Sequence, residues 1–290
     1  MKVCFVGLGT MGLPMALRLK EKGFEVSGWD AADHAGRDFE GRCATLPEAA
    51  AEADIVITML PEGDHVLEVH ETVHSLAHGN RRLFIDSSTI VVTVTRALAE
   101  RAERDGHGFI DAPVSGGAEG ARAGLLSFML GGKTADIDAA MPVLQAMGTK
   151  IQHFGDAGAG QSAKACHNMI CGITALGVCE AFALADALGL DQQKFFDLCA
   201  GAAAQSWILE NRCPVPGPAA NAPASNDYAP GFAARLMAKD LRLAQSAANA
   251  SGQPTPFGAE AAKRFSAFAE DADSGNLDFS AIYRTIRQRD

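Results

Sequence analysis

Lys164 and Asn168 stand four residues apart, just after the run Gly155-Asp-Ala-Gly158-Ala-Gly160. On a helix that spacing places both side chains on one face. A lysine held there can move a proton, and an amide beside it can orient a hydroxyl group. The plainer reading is a solvated Lys and Asn on an ordinary first turn, since helical lysines are mostly surface residues. The three glycines read as a loop that bends freely, with Ser162 opening a long helix with no proline until Pro214.

A second group of residues suggests a phosphate site. Gly7-Leu8-Gly9-Thr10-Met11-Gly12 follows the apolar run Val3–Val6 and precedes a helical pattern over 13–22. GxGxxG alone is a weak signal, but between a strand and a helix it has a mechanism. Gly7 permits the tight turn, Gly9 lets a pyrophosphate approach the backbone, and Gly12 lets helix and strand pack closely. Asp30 closes the next strand, 18 residues past Gly12, near the ~20 expected for a carboxylate on an adenosine ribose. Ala31 and Ala32 follow it, with no adjacent Arg or Lys for a 2′-phosphate. The reading is NAD, not NADP.

These residues need a scaffold. Strand patterns at 54–60, 82–86 and 108–111 alternate with helical patterns at about 47–53, 62–77 and 92–106. That alternation predicts right-handed βαβ units and a parallel sheet. Ligands sit at the carboxyl ends of such strands, which places Leu60-Pro61 and Ser88-Thr89 on the cofactor groove. After Asp111, the run Pro113-Val-Ser115-Gly116-Gly117 offers a hydroxyl and open backbone N–H groups to a carboxylate. Strands at 125–130 and 150–154 close the first domain around a helix at 134–147. The boundary falls just past Phe154, giving a Rossmann-type, doubly wound α/β domain over 1–157 and an all-α domain over 158–290.

The second domain is organised on one helix, Ser162–Leu188. It is apolar on most sides (Ile170, Ile173, Leu176, Phe182, Leu184), so it reads as a buried central column. Gly172 and Gly177 within it suggest close helix approach. Gly189 stops it and Asp191 caps the next helix. Residues 213–230, with five prolines, read as a packed loop over the active site. Helices follow at 232–250, with Lys239-Asp240, then at about 254–271 and 279–289.

Composition narrows the function classes. The 290 residues are 48% hydrophobic and 21% charged, with a net charge of −10. That balance argues against nucleic acid or an anionic membrane as partner. The seven cysteines form no CxxC pair and read as buried thiols in a reducing compartment. No His/Asp/Glu cluster has ligand spacing, so no metal is expected. Met1-Lys2 enters a strand at once, so no signal peptide is expected, and no apolar run is expected to reach the ~20 residues that span a bilayer. The expected setting is cytoplasm, or an organelle matrix after removal of a presequence. The apolar column and helical tail suggest a homodimer or homotetramer.

Four motifs, in order along the whole chain, resemble the β-hydroxyacid dehydrogenase family. Gly7-Leu-Gly-Thr-Met-Gly-Leu-Pro-Met-Ala16 is similar to its cofactor loop, Asp111-Ala-Pro-Val-Ser-Gly-Gly117 to its substrate motif, and Gly155–Asn168 to its catalytic motif. Lys239-Asp240-Leu241 resembles the motif near the nicotinamide. Softer features, Cys213-Pro-Val-Pro-Gly217, Pro223-Ala-Ser-Asn-Asp-Tyr228 and Gly231-Phe232, resemble the hydroxyisobutyrate branch. The resemblance implies reversible oxidation of a small 3-hydroxy acid by NAD, foremost (S)-3-hydroxyisobutyrate to methylmalonate semialdehyde in valine catabolism. It implies Lys164 as general base and acid, Asn168 as its partner, Ser115, Gly116, Gly117 and Phe232 at the substrate, and Pro61, His65, Thr89 and Lys239 at the cofactor. A free lysine titrates near 10.4, so the role requires burial or a nearby cation, for which Lys239 is the candidate. Tartronate or succinic semialdehyde reductases, glyoxylate reductases and serine dehydrogenases are rivals within the class. A non-catalytic NAD-binding protein is the rival outside it.

Overall fold

Five short strands build the first unit, β3, β4 and β5 buried on both faces, β1 nearly so and β2 on one face: β1 (Lys2–Val6), β2 (Glu25–Trp29), β3 (Ile55–Thr58), β4 (Leu83–Asp86) and β5 (Gly108–Asp111). The structure, a computed structural model, describes residues 1–76 and 81–287. β1–β5 pair in parallel in the order β2-β1-β3-β4-β5. Order reverses beside β1, which is where open α/β sheets bind ligands. Helices α1 (Gly12–Glu21), α2 (Leu46–Ala50), α3 (Gly63–Ser75) and α4 (Val92–Arg104) connect them. Residue 77 of the expected helix 62–77 lies outside the described residues. Thr45 caps α2 by accepting from Glu48 N at 3.3 Å, while Glu48 Oε2 accepts from Ala44 N, just before the cap, at 3.0 Å.

The sheet continues through β6 (Val114–Ser115), α5 (Gly117–Ala123), β7 (Leu126–Gly132), α6 (Thr134–Met147) and β8 (Gly148–Gly155). The strands expected to be parallel are parallel, and the two closing strands bring in the other direction. β7 runs antiparallel to β5 and β6, and β8 runs parallel to β7. The seven-residue α5 spans only about 10 Å at 1.5 Å per residue, too short to return the chain to the sheet's amino edge. The fourteen residues of α6 do make that return. One apolar layer packs Met15, Leu19, Ala121, Ile137 and Leu144 against one face of the sheet. Another packs Leu46, Val66, Val73, Leu98 and Ala102 against the other. The first unit is therefore doubly wound.

The second unit is helical: most of α7 (Ala159–Ala187), then α8 (Gln192–Ala200), α9 (Trp207–Asn211), α10 (Ala234–Ser251), α11 (Pro256–Ala269), α12 (Ala272–Asn276) and α13 (Tyr283–Ile286), with 3₁₀ turns at Pro223–Asn226 and Phe279–Ile282. Residues 288–289 of the expected last helix lie outside the described residues. The compact units are Met1–Lys164 and Ala165–Asp290, so the division falls inside α7. α7 begins at Ala159, not Ser162, because Gly160 belongs to its first turn. Gly189 ends it at φ 70°, and Asp191 caps α8 through Lys194 N at 2.9 Å. The proline-rich segment is packed, with Val215, Ala222 and Tyr228 buried and Tyr228 Oη donating to Pro214 O at 2.6 Å.

Three expectations about the second unit change. α7 is not buried all round: Phe182 and Cys179 enter the core, but Ile170 is 64% and Leu184 61% exposed. Gly172 does meet a neighbour, Leu241 of α10, whereas a Cβ on Gly177 would touch nothing within 4 Å. By length and apolar composition α7 also reaches what a bilayer span requires, contrary to the reading above. Its buried face belongs to the core of the unit, as in a core helix. The cysteines differ too: Cys4, Cys179 and Cys213 are buried, but Cys166 is exposed.

Candidate active site

The turn after β1 is built around glycine geometry. Gly7 sits at φ +97°, and a Cβ there would lie 2.3 Å from Met59 O. A Cβ on Gly12 would lie 1.8 Å from Gly7 O, so α1 starts hard against the turn. Beside Gly9 nothing stands within 4 Å of where a Cβ would be. That open space at a helix start, with Thr10 exposed beside it, fits a pyrophosphate. Leu8 is buried, and its N–H already donates to Asp30 Oδ2 at 2.7 Å.

Asp30 also accepts from Ala32 N at 2.8 Å. Its carboxylate therefore holds the cofactor turn together and keeps lone pairs for a ribose hydroxyl. The structure adds a residue that sequence distance hid. Arg42 donates to Ala35 O at 3.1 Å, Ala32 O at 3.2 Å and Asp30 O at 3.4 Å. A cation is thus near the Asp30 turn after all, bound to three carbonyls.

The turns after β3 and β4 meet, since Leu60 N donates to Ser88 Oγ at 2.9 Å. Pro61 and the half-buried Thr89 follow these strand ends, and His65 is exposed on the first turn of α3. Beneath them Asp86 accepts from Thr58 Oγ1 at 2.8 Å and Ser88 N at 3.1 Å. Burial pushes its carboxyl up to about 6, against the pull of the Ser88 and Thr58 bonds.

Ser115 ends β6, opposite Ser127 of β7. Gly116 (φ 131°) and Gly117 (φ 63°) turn the chain into α5, conformations that favour glycine. Lys164 is no surface lysine. It is 8% exposed, and its Nζ donates to Val114 O at 2.8 Å, beside Ser115. In the second unit Asn168 Nδ2 donates to Asp240 Oδ2 at 2.5 Å, and His167 Nδ1 lies 2.8 Å from Asn168 Oδ1. Lys239, 9% exposed, faces Asp240 Oδ1 at 3.7 Å. Phe232 packs on Phe279 with ring centroids 5.8 Å apart. Its N–H donates to the buried Asp278 at 3.0 Å, which holds the chain extended just before α10.

Sequence reasoning missed Asp240 as the anchor of Asn168, and Asp111 and Gln161 as residues with work to do. Asp240 was visible only as a neighbour of Lys239. No local signal tied it to a residue 72 positions away.

A phosphate turn at the switch point of a doubly wound sheet and a buried lysine at the end of that sheet define a nicotinamide-dinucleotide-dependent oxidoreductase. Residues 2–155 match the family model described as the NAD-binding domain of 6-phosphogluconate dehydrogenase. Residues 158–286 match the family model described as NAD-binding of NADP-dependent 3-hydroxyisobutyrate dehydrogenase. A probable 3-hydroxyisobutyrate dehydrogenase of Mycobacterium tuberculosis is 46% identical over 99% of this chain and 98% of its own. A solved structure of a 3-hydroxyisobutyrate dehydrogenase from Mycobacterium tuberculosis, described with L-serine, is 45% identical, covers 99% of both chains and superposes with a TM-score of 0.92. An NAD-dependent L-serine dehydrogenase of Pseudomonas aeruginosa is 40% identical over 89% of this chain and 88% of its own. The chain belongs to the 3-hydroxyisobutyrate dehydrogenase family.

Proposed function

We propose that the protein oxidises a small 3-hydroxy acid with NAD, foremost (S)-3-hydroxyisobutyrate to methylmalonate semialdehyde, a step of valine catabolism. The observation that carries this reading is Lys164, buried with its Nζ on Val114 O and next to Ser115. Residues 1–157 form the cofactor domain and 158–290 the substrate and assembly domain. The Gly7–Gly12 turn and Asp30 hold the dinucleotide, with Leu60, Pro61 and Thr89 along its groove, and Lys239 and His65 complete the cofactor contacts. When bound, the nicotinamide supplies the hydride acceptor. Ser115 with the Gly116 and Gly117 N–H groups holds the substrate carboxylate, and Phe232 lines its apolar side. Lys164 Nζ takes the hydroxyl proton as the C–H bond breaks and returns it in reduction. Asn168, held by Asp240, orients the hydroxyl. L-Serine is the second reading, favoured by the serine dehydrogenase relative and the structure described with L-serine. Both are 3-hydroxy acids, so steady-state kcat/KM over a panel of hydroxy acids, with NAD and with NADP, separates them. NAD binding without turnover of any hydroxy acid would sink the enzymatic reading.

Cofactor choice follows from Asp30. A 2′-phosphate beside its carboxylate sets like charges together, which costs several kcal/mol. We expect kcat/KM to favour NAD by at least about 100-fold. Asp30→Ser with Ala31→Arg should erode that ratio, and should also lower the melting temperature because Leu8 N and Ala32 N lose their acceptor. Equal use of both cofactors by the wild type would overturn the assignment.

Assembly follows from the uncovered side of α7. Ile170, Gly177, Leu184 and Leu188 fall within about 40° of one another at 100° per residue, and all are exposed. The bare Gly177 lets a second helix come close. We propose a homodimer or homotetramer formed through this face. Light scattering should give at least twice the chain mass at micromolar protein, and Leu184→Arg should lower it. A monomeric wild type contradicts the proposal. The seven free thiols suit a reducing compartment, the cytoplasm or an organelle matrix.

A further inference from the structure

The helix that carries Lys164 starts just after a glycine, which has no side chain to cap it. Gly158 precedes it, and the first N–H groups of any helix lack partners within it. Here a carboxylate from a distant strand supplies them. Asp111, the last residue of β5, accepts from Gly158 N with Oδ1 and from Gln161 N with Oδ2, each at 2.8 Å. A negative charge at that place also suits the helix dipole. Burial pushes the Asp111 carboxyl up, and those backbone N–H groups pull it back down. Gly160 lets the helix press onto the sheet, since a Cβ there would lie 2.3 Å from Met129 O and 2.8 Å from Asp111 Oδ2.

Gln161 makes the second fastening. Its side chain is 2% exposed, its Nε2 donates to Ser88 O at 2.8 Å, and its Oε1 accepts from Ile90 N at 3.2 Å. These two backbone groups flank Thr89. Gln161 lies one turn before Lys164 on α7, so the turn after β4 and the lysine share one frame. The frame then closes on itself. Lys164 Nζ bonds Val114 O, three residues beyond Asp111, and Asp111 bonds the start of the helix that bears Lys164.

We propose that Asp111 and Gln161 are positioning residues, which set the Lys164 ammonium against β6 by clamping the first turn of α7 to the ends of β4 and β5. This rests on the reading of Lys164 as the proton-transfer group, and the test separates the two. Gln161→Met keeps the volume and removes both side-chain bonds. Displacing a reacting group by about 1 Å can cost on the order of 100-fold, so kcat should fall about 10- to 100-fold. KM for the hydroxy acid and Kd for NAD, by fluorescence titration, should stay within about twofold. The primary deuterium isotope effect on kcat should rise as the chemical step becomes limiting. Reductive methylation of Lys164, followed by peptide mass spectrometry, should accelerate about tenfold, as the restraint of two hydrogen bonds is lost. Asp111→Asn, which leaves one accepting oxygen, should show the same pattern if it folds, and Gln161→Met decides if it does not. Unchanged Lys164 reactivity in Gln161→Met overturns the proposal. So does a fall in kcat matched by an equal loss of NAD affinity, which would make Gln161 a builder of the cofactor turn only. A wild type that oxidises no hydroxy acid removes the reading of the reaction, while Lys164 reactivity still decides the clamp.

Discussion

Replacing Lys164 by alanine is expected to cut kcat by about 10²–10⁴-fold, the range for losing a general acid–base group. That corresponds to roughly 3–5 kcal/mol of barrier. NAD affinity should change little, because the Gly7–Gly12 turn and Asp30 belong to other elements. Lys164→Arg should fare nearly as badly. Guanidinium keeps the charge but does not give up its proton in the working range, and its planar fork does not fit where one Nζ meets Val114 O at 2.8 Å. Steady-state kinetics with NAD titration on both variants, with folding checked by circular dichroism, tests this. Wild-type-like turnover in folded Lys164→Arg would remove Lys164 from the chemistry and leave the dinucleotide site standing.

The second large effect is on stability in acid. His70 lies on α3 with both ring nitrogens buried and unpartnered, its ring tilted against Phe84 at 4.6 Å and His74 at 5.8 Å between centroids. Burial lowers it to about 3, and His74 and Arg101 push the same way. The other charged groups nearby are Asp105, which pairs with His74 Nδ1 at 2.7 Å, and Arg82 and His107 at the edge of the rings. An unfolded histidine titrates near 6.5. Above that value both states are neutral and His70 costs nothing. Below it the unfolded chain binds a proton that the fold refuses, so stability falls by about 1.4 kcal/mol per pH unit until about pH 3. At pH 5 the loss from this one ring is about 2 kcal/mol. His70→Phe keeps an aromatic ring against Phe84 and cannot titrate. Chemical denaturation from pH 7.5 to 5 should give a visibly flatter stability curve for the variant. Parallel curves would show that His70 does not set the acid limb.

Local patterns in the sequence carried the parts of the site that are themselves local. The GxGxxG turn, its strand and its helix are contiguous, so spacing alone placed Gly7, Gly9 and Gly12 where the structure has them. Lys164 and Asn168 share a helix face for the same reason. What the sequence hid depends on pairings between distant segments. Asp30 looked like a ribose ligand and no more, because its bond to Leu8 N arises only when β2 lies beside β1. Arg42 comes to the Asp30 turn by a chain reversal that no residue pattern announces. The antiparallel β7 was unreadable because its direction depends on how far α5 can carry the chain, while its apolar run is the same either way. α7 misled in another manner. A helix apolar on most sides fits both a core and an assembly face, and periodicity cannot tell burial within one chain from burial between two.

The outer margin of the sheet bears on how the proposed assembly would stop growing. Among the described residues β8 pairs only with β7, so its far side presents backbone donors and acceptors that another strand could take up. That strand exposes Lys150, Gln152 and His153, with one apolar residue, Phe154, at its end. The opposite margin, β2, is covered in part by the bridge between Gly28 and Arg42. A charge and a run of polar groups on the open margin discourage edge-to-edge growth, which has no natural end. In the assembly proposed above, self-recognition would use the apolar side of α7, where a two-fold contact takes the same patch on both copies and closes. The division between a guarded sheet margin and a sticky helix favours a finite particle over a fibre.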